Sequence, residues 1–271
     1  MMFPKSEIGN YNISRLICGT NCFLGFSHFS GARDAWLKRF FDIDHIVEVL
    51  EACSRQGINA ILGPADQKLA TALKEHEART GRHMYWIATT YGRRSIDDEK
   101  KTLEWLREQG AEFGLIFAGY VDANLITSRK EVEGLRTLLN FSRQLGLVPG
   151  VSTHRPETIN VCDEAGYDID VYVLPLNVLG FMSPVETNWI ARIIRDTPKS
   201  VVTIKPLASG RVMPEDGLRF VYASIKSTDC VAVGLMSPEE VEDDIAVARQ
   251  ILLGEGTDRI LLHTPSKSTL K

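Results

Sequence analysis

Apolar residues along this chain gather into short runs, and the runs alternate with amphipathic stretches. Eight runs have the length and composition of strands buried on both faces: 15–18, 60–62, 84–88, 113–117, 148–151, 171–174, 201–204 and 230–233. The stretches between them carry a helical period. Ile43, Ile46, Val47, Leu50 and Cys53 line one face of a helix predicted over 43–56. Further helices are predicted over 66–79 and 95–109. Ser128-Arg129-Lys130-Glu131 reads as a capping box opening a fourth helix that ends at Leu145-Gly146. A fifth spans 156–165, Ser183-Pro184-Val185-Glu186 opens a sixth, and a seventh spans 214–224. Ser237-Pro238-Glu239-Glu240 then combines a capping residue, a proline at the first helical position and an acidic first turn.

Strands and helices in strict alternation predict a parallel sheet. Eight such pairs favour an α/β fold of the closed (β/α)8 TIM-barrel type over an open doubly wound sheet. No Pro/Gly/Ser-rich linker or change of composition divides the 271 residues, so 1–271 reads as one domain. The irregular insertion is the run 21–41, NCFLGFSHFSGARDAWLKRFF, which holds Phe23, Phe26, His28, Phe29, Trp36, Phe40 and Phe41. A loop of that length without structure of its own is expected to be functional or mobile. An aromatic lid or plug over the barrel mouth is one use for it, and a contact in a homo-oligomer is another.

Composition narrows the partners. With 44% hydrophobic residues, 24% charged residues and a formal charge of -4, the chain gives no reason to expect nucleic acid or an anionic membrane surface. No apolar run approaches the ~20 residues of a membrane span, and the start MMFPKSEIGNYN lacks the apolar core of a signal peptide. Five scattered cysteines without a Cys-x-x-Cys pair speak against a disulfide framework or a zinc ribbon, and a reducing cytoplasm is the expected location.

In a barrel of this kind, a small-molecule ligand is expected at the mouth formed by residues just past the carboxyl ends of the strands. Those positions are polar here but poor in acids and bases. Lys205 could form a Schiff base or bind an anion, and a salt bridge or a solvated chain is the plainer use of a lysine there. His154 suits general acid–base work, or the orientation of a loop through backbone hydrogen bonds. Arg155 at a helix start holds an anion or faces water, and Tyr91 and Tyr120 are potential hydrogen-bond donors. Asp66, Asp122 and His154 are the available metal ligands; they come from separate strand ends without a local motif, so no metal is expected.

Six segments in order carry a family resemblance. They are Ile13 to Leu16 with Cys18-Gly19-Thr20; Gln56-Gly57-Ile58-Asn59; Trp86-Ile87-Ala88-Thr89; Gly150 to His154 with Pro156-Glu157; Lys205 to Arg211; and Gly234 to Glu242. Together they resemble the aldo/keto reductases over nearly the whole chain. The resemblance implies the barrel, an oxidoreductase, and an NADP or NAD cofactor whose phosphates would meet Gly234 and Ser237, with Arg211 and Asn177 as further cofactor-binding candidates. Glu239 and Glu240 put negative charge in that same first turn, and no lysine or arginine lies between Gly234 and Ala248 to favour a 2′-phosphate.

That family reduces carbonyls with an aspartate, a tyrosine, a lysine and a histidine. By position the aspartate falls at about Leu62, the tyrosine within Pro64-Ala65-Asp66-Gln67, the lysine at Thr90 and the histidine at Phe117. The family's proton donor is thus missing. Three functions remain in view: an oxidoreductase-like barrel with chemistry rebuilt around Lys205, His154 and Tyr91; a lyase or isomerase using Lys205 on a small carbonyl or sugar-like substrate; and a non-catalytic binding barrel with a mouth closed by Phe23, Phe26 and Phe29.

Overall fold

The computed structural model describes residues 3–91 and 95–256. The chain opens with a hairpin of β1 (Lys5–Ile8) and β2 (Tyr11–Ser14). Gly9 has φ +59, so the two-residue Gly9-Asn10 connection makes a mirror-image turn whose twist matches the strands. Alternation sends Ile8 and Ile13 to one face, where both are fully buried with Ile17, Ile87 and Val148. Gly9 lies against Val148, at the start of a barrel strand, and the hairpin therefore plugs the amino-terminal end of the barrel.

The elements that follow are β3 (Leu16–Gly19), α1 (Gly31–Phe40), α2 (Ile43–Arg55), β4 (Ala60–Pro64), α3 (Gln67–Thr80), β5 (Tyr85–Thr89), α4 (Ile96–Gln109) and β6 (Phe113–Ile116). After β6 come α5 (Ala118–Asn124), β7 (Leu125–Ile126), β8 (Glu131–Val132), α6 (Leu135–Gln144), β9 (Val148–Ser152), α7 (Glu157–Glu164) and β10 (Val171–Pro175). The last are α8 (Thr187–Asp196), β11 (Ser200–Ile204), α9 (Pro214–Ser224), β12 (Cys230–Gly234) and α10 (Pro238–Leu253). Eight parallel strands close in the order β3-β4-β5-β6-β9-β10-β11-β12, with β12 pairing back onto β3 through Val231↔Leu16 and Ala232↔Ile17. All eight apolar runs read from the sequence are these strands, and the fold is a (β/α)8 barrel.

The strands are apolar on both faces because each face meets a different core. Inward residues such as Ile17, Ile87, Phe113, Val171 and Val202 fill the interior, and outward ones such as Leu16, Trp86, Ile116 and Val201 pack under the helices. Two local expectations are corrected. The run 21–41 is not loop throughout: Ser30 caps α1, accepting from the Arg33 N–H, and Leu37 anchors that helix in the core. Ser128-Arg129-Lys130-Glu131 opens no helix. Instead a 3-10 turn (Thr127–Arg129) and Lys130 at φ +51 reverse the chain, so that Glu131–Val132 pairs with Leu125–Ile126. Burying Val132 and Leu125 in that small hairpin outweighs the local cap, and the helix waits until Gly134 turns the chain at φ +73. Between β6 and β7 lies α5, which the sequence pattern did not disclose.

Candidate active site

Lys205 follows the last residue of β11 and has φ +62. Pro206 disfavours the right-handed helical region for the residue before it, and the chain turns through the left-handed region instead. Ala208 and Ser209 share that conformation at φ +47 and +61, and the turn is closed by Ala208 N–H donating to the Lys205 carbonyl at 3.0 Å. Three departures of this kind within five residues, all in non-glycine residues, cost on the order of 1 kcal/mol each, and such strain gathers where a structure must aim a group. Burial pulls the Lys205 ammonium down from 10.5 to about 8, and burial is the only cause. Among the described residues, no carboxylate pairs with it.

His154 stands past β9 and meets Asp122 of α5. Its backbone N–H donates to Asp122 Oδ2 at 3.0 Å, and the Thr153 hydroxyl donates to Asp122 Oδ1 at 2.5 Å. The His154 Nδ1 atom is 3.8 Å from Asp122 Oδ2, too far for a good hydrogen bond, while Nε2 is buried with no hydrogen-bond partner among the described residues. Burial is the main cause that lowers His154 to about 4, followed by the charges of Lys205 and His28. The ring is therefore neutral at neutral pH, and its contact with Asp122 is not an ion pair there. Desolvation raises Asp122, partly offset by the bonds from Thr153 and His154.

A third base comes from the aromatic run. His28 has φ +52, its Nε2 is 3.2 Å from the Asn21 side-chain amide nitrogen, and it is lowered first by burial and then by the Lys205 charge. The segment that carries it is clasped to the loop after β11, two strands round the barrel from β3. Ser27 donates to Asp34 Oδ1 from both its N–H, at 2.8 Å, and its hydroxyl, at 2.5 Å, and the Ser209 hydroxyl donates to the Ser27 carbonyl. Lys205, His154 and His28 thus form one group of bases, each close enough to feel its neighbour's charge. A base of this kind next to a desolvated amine can shuttle protons.

The other site candidates are placed elsewhere. Arg155 is held by Glu157 Oε1 at 2.9 Å and the Asp122 carbonyl at 3.3 Å, so it braces the turn. Tyr91 is 48% exposed and lines an open groove of about 430 Å³ with Asp66, Lys101 and Trp105, which shares no lining residue with the group of bases. Asn177 uses its amide on Phe181, donating to the carbonyl at 3.0 Å and accepting from the N–H at 2.8 Å. Gly234 is exposed, and Ser237 caps α10 by accepting from Glu240 N–H at 3.2 Å. The Glu240 carboxylate in turn accepts from Met236 N–H at 2.9 Å. Two N–H groups at the start of α10, those of Met236 and Glu240, are therefore taken by the chain's own side chains, and two carboxylates stand in the same turn; these residues fit a pyrophosphate poorly. Arg211, on the β11–α9 loop, lies over the rings of Phe181 and Phe29. At the positions of the family's lysine and histidine, Thr90 Oγ1 accepts from Phe117 N–H at 3.0 Å, and neither side chain titrates.

Asp122 and His28 enter the site unannounced by any motif. Asp122 was visible only as one of three scattered ligand candidates, and His28 only as a polar residue within an aromatic run. Among the described residues, no three ligating side chains converge on one point, and no helix is long and apolar enough to cross a membrane.

The sequence matches no family model and no curated protein. Solved structures do match. A Pseudomonas aeruginosa protein assigned to the aldo-keto reductases is similar at a TM-score of 0.64 and 18% identity, covering 92% of this chain and 94% of its own. An aldo-keto reductase enzyme from a Medee basin deep-sea metagenome library follows at 0.56 and 13%, covering 94% and 97%. QR15, an aldolase, matches at 0.51 and 16%, covering 80% and 94%. The chain has the fold of the aldo-keto reductases.

Proposed function

We propose that this barrel carries out amine-based chemistry on a small carbonyl compound, as a lyase or isomerase, with Lys205 as the nucleophile and His154 as the proton carrier. The observation that carries this reading is the Lys205 amine itself: desolvated, without an ion-pair partner among the described residues, lowered to about 8, and close enough to His154 for its charge to act on the ring. At neutral pH a useful fraction of the amine is uncharged. It attacks the carbonyl carbon, the carbonyl oxygen leaves as water, and a protonated imine remains. That cation acidifies the neighbouring carbon, His154 Nε2 takes the proton, and the electron pair moves into an enamine. Return of the proton to the opposite face of that carbon, with hydrolysis of the imine, completes an isomerisation. Where the next carbon bears a hydroxyl, His154 takes the hydroxyl proton instead, the bond between those two carbons breaks, its electron pair enters the enamine and an aldehyde leaves, which is a lyase. Asp122 keeps His154 in place through the backbone N–H. A similar barrel, QR15, is an aldolase, which is in keeping with this reading.

Incubation with a panel of small aldehydes and ketones, followed by borohydride, tests it. The trapped adduct is expected on the peptide carrying Lys205 and absent from Lys205→Met; an adduct of equal yield in that variant removes the assignment.

A second reading, an oxidoreductase using NADP or NAD, is favoured by the fold and by the exposed guanidinium of Arg211. The arrangement at Ser237 and Glu240 weighs against it. Titration with NADPH and NADH, followed by quenching of the four tryptophans, separates the two. Micromolar binding supports the second reading and silence to millimolar cofactor supports the first. Five free, buried cysteines suit a cytoplasmic location under either.

A further inference from the structure

The rim of the mouth holds a cation that the amine chemistry does not use. Arg211 lies on the same loop as Lys205, and its guanidinium sits 4.6 Å from the centre of the Phe181 ring and 5.5 Å from that of Phe29. Loops following β3, β10 and β11 thus meet on one side chain. Its Nη1 donates to the Ala208 carbonyl at 3.0 Å. Among the described residues its guanidinium has no carboxylate partner. Aromatic faces fix the guanidinium plane and leave most of its five N–H donors unspent.

The carboxylates near the mouth are already engaged. Asp122 has its oxygens taken by Thr153 and the His154 N–H, and Asp34, which acts on His28, accepts from Ser27. The unspent donors of Arg211 are left for an anionic ligand to answer.

We propose that the carbonyl compound taken at Lys205 is anionic, its carboxylate or phosphate held by Arg211 in a planar two-point contact while its carbonyl stands at the amine. This rests on the assignment of Lys205 as nucleophile. Phe29 and Phe181 pre-orient the guanidinium, so little rotamer freedom is lost when the anion binds. Because Phe29 belongs to the segment clasped through Ser27 and Ser209, an anion on Arg211 also holds that segment over the amine.

The test compares matched probes in borohydride trapping: pyruvate against acetone, and glyceraldehyde 3-phosphate against glyceraldehyde. The half-saturating concentration for the Lys205 adduct is read from the mass of its peptide. At least one anionic probe is expected to half-saturate at a concentration about tenfold lower than its uncharged match, the worth of one charge-assisted contact. Which pair shows the difference identifies the anion as carboxylate or phosphate. Arg211→Gln should bring that ratio toward one, and Arg211→Lys should leave it between, since the charge stays and the fork is lost. A ratio near one for both pairs in the wild type, or a ratio that survives Arg211→Gln, overturns the proposal. Lactate and glycerol 3-phosphate carry the anions without a reactive carbonyl, so they probe Arg211 apart from Lys205. Either one should raise Tm in the wild type and not in Arg211→Gln. Such a shift without any trapped adduct would sink the Lys205 assignment and keep the anion site; trapping without anion preference would do the reverse; neither would sink both.

Discussion

Lys205 holds an amine in a place that costs the native state. Its native value of about 8 lies below the 10.5 of the unfolded chain, so at pH 7 the charged form is kept buried at a loss. The sign follows from proton binding. Between about 8 and 10.5 the unfolded state holds the proton more tightly, stability rises with pH across that window, and below it the full deficit is present. Lys205→Met is therefore expected to stabilise the protein at pH 7 by about 2 kcal/mol in urea unfolding while abolishing adduct formation. A destabilised Lys205→Met variant would mean that the amine has a partner. His154 gives a second window. Its native value of about 4 lies below 6.5, so the unfolded chain binds more protons between those values and stability falls as pH drops through them. Asp122, raised by burial, acts in the opposite sense at the acid end. His154→Gln should flatten the fall between pH 6.5 and 4, and an unchanged slope would contradict the neutral, buried ring.

At the scale of single elements, the amino-terminal hairpin and the start of α10 make separate demands. Ile13 is fully buried in the barrel interior, and Ile13→Ala should cost about 2–5 kcal/mol in chemical denaturation with the mouth chemistry unaltered. A cost under 0.5 kcal/mol would show that the hairpin is not part of the core. Ser237→Ala removes the cap of α10 and should cost about 1 kcal/mol. The barrel strands were legible in the sequence because a parallel strand buried on both faces leaves an unbroken apolar run. The hairpin was missed although Gly9-Asn10 between KSEI and YNIS is a turn signal, since four-residue strands carry too few alternations to stand out. The helix misplaced at Ser128 shows a cap signature overruled by tertiary packing: Val132 gains more from burial than the local turn gains from capping.

For the whole molecule, the site could be read only in part. Lys205 and His154 were marked by position alone, because both follow strand ends, and the structure brings them together. Asp122 and His28 reach them from a short helix and an aromatic segment separated from them by long stretches of chain, a relation set by barrel closure that no local spacing encodes. Tyr91 is carried outward instead, two residues past the end of β5, into the groove beside α3 and α4. At the positions where the sequence resemblance would put an aspartate, a lysine and a histidine, Leu62, Thr90 and Phe117 serve as apolar or hydrogen-bonded packing.

The central claim is that one lysine of this barrel is a partly neutral amine near physiological pH. Titration of the protein labelled with 13C-lysine, followed by NMR at the Cε position, measures it directly. One signal is expected to titrate near 8 and to vanish in Lys205→Met. If every lysine titrates above 10, Lys205 is an ordinary charged residue at neutral pH, and the amine chemistry assigned to it is wrong.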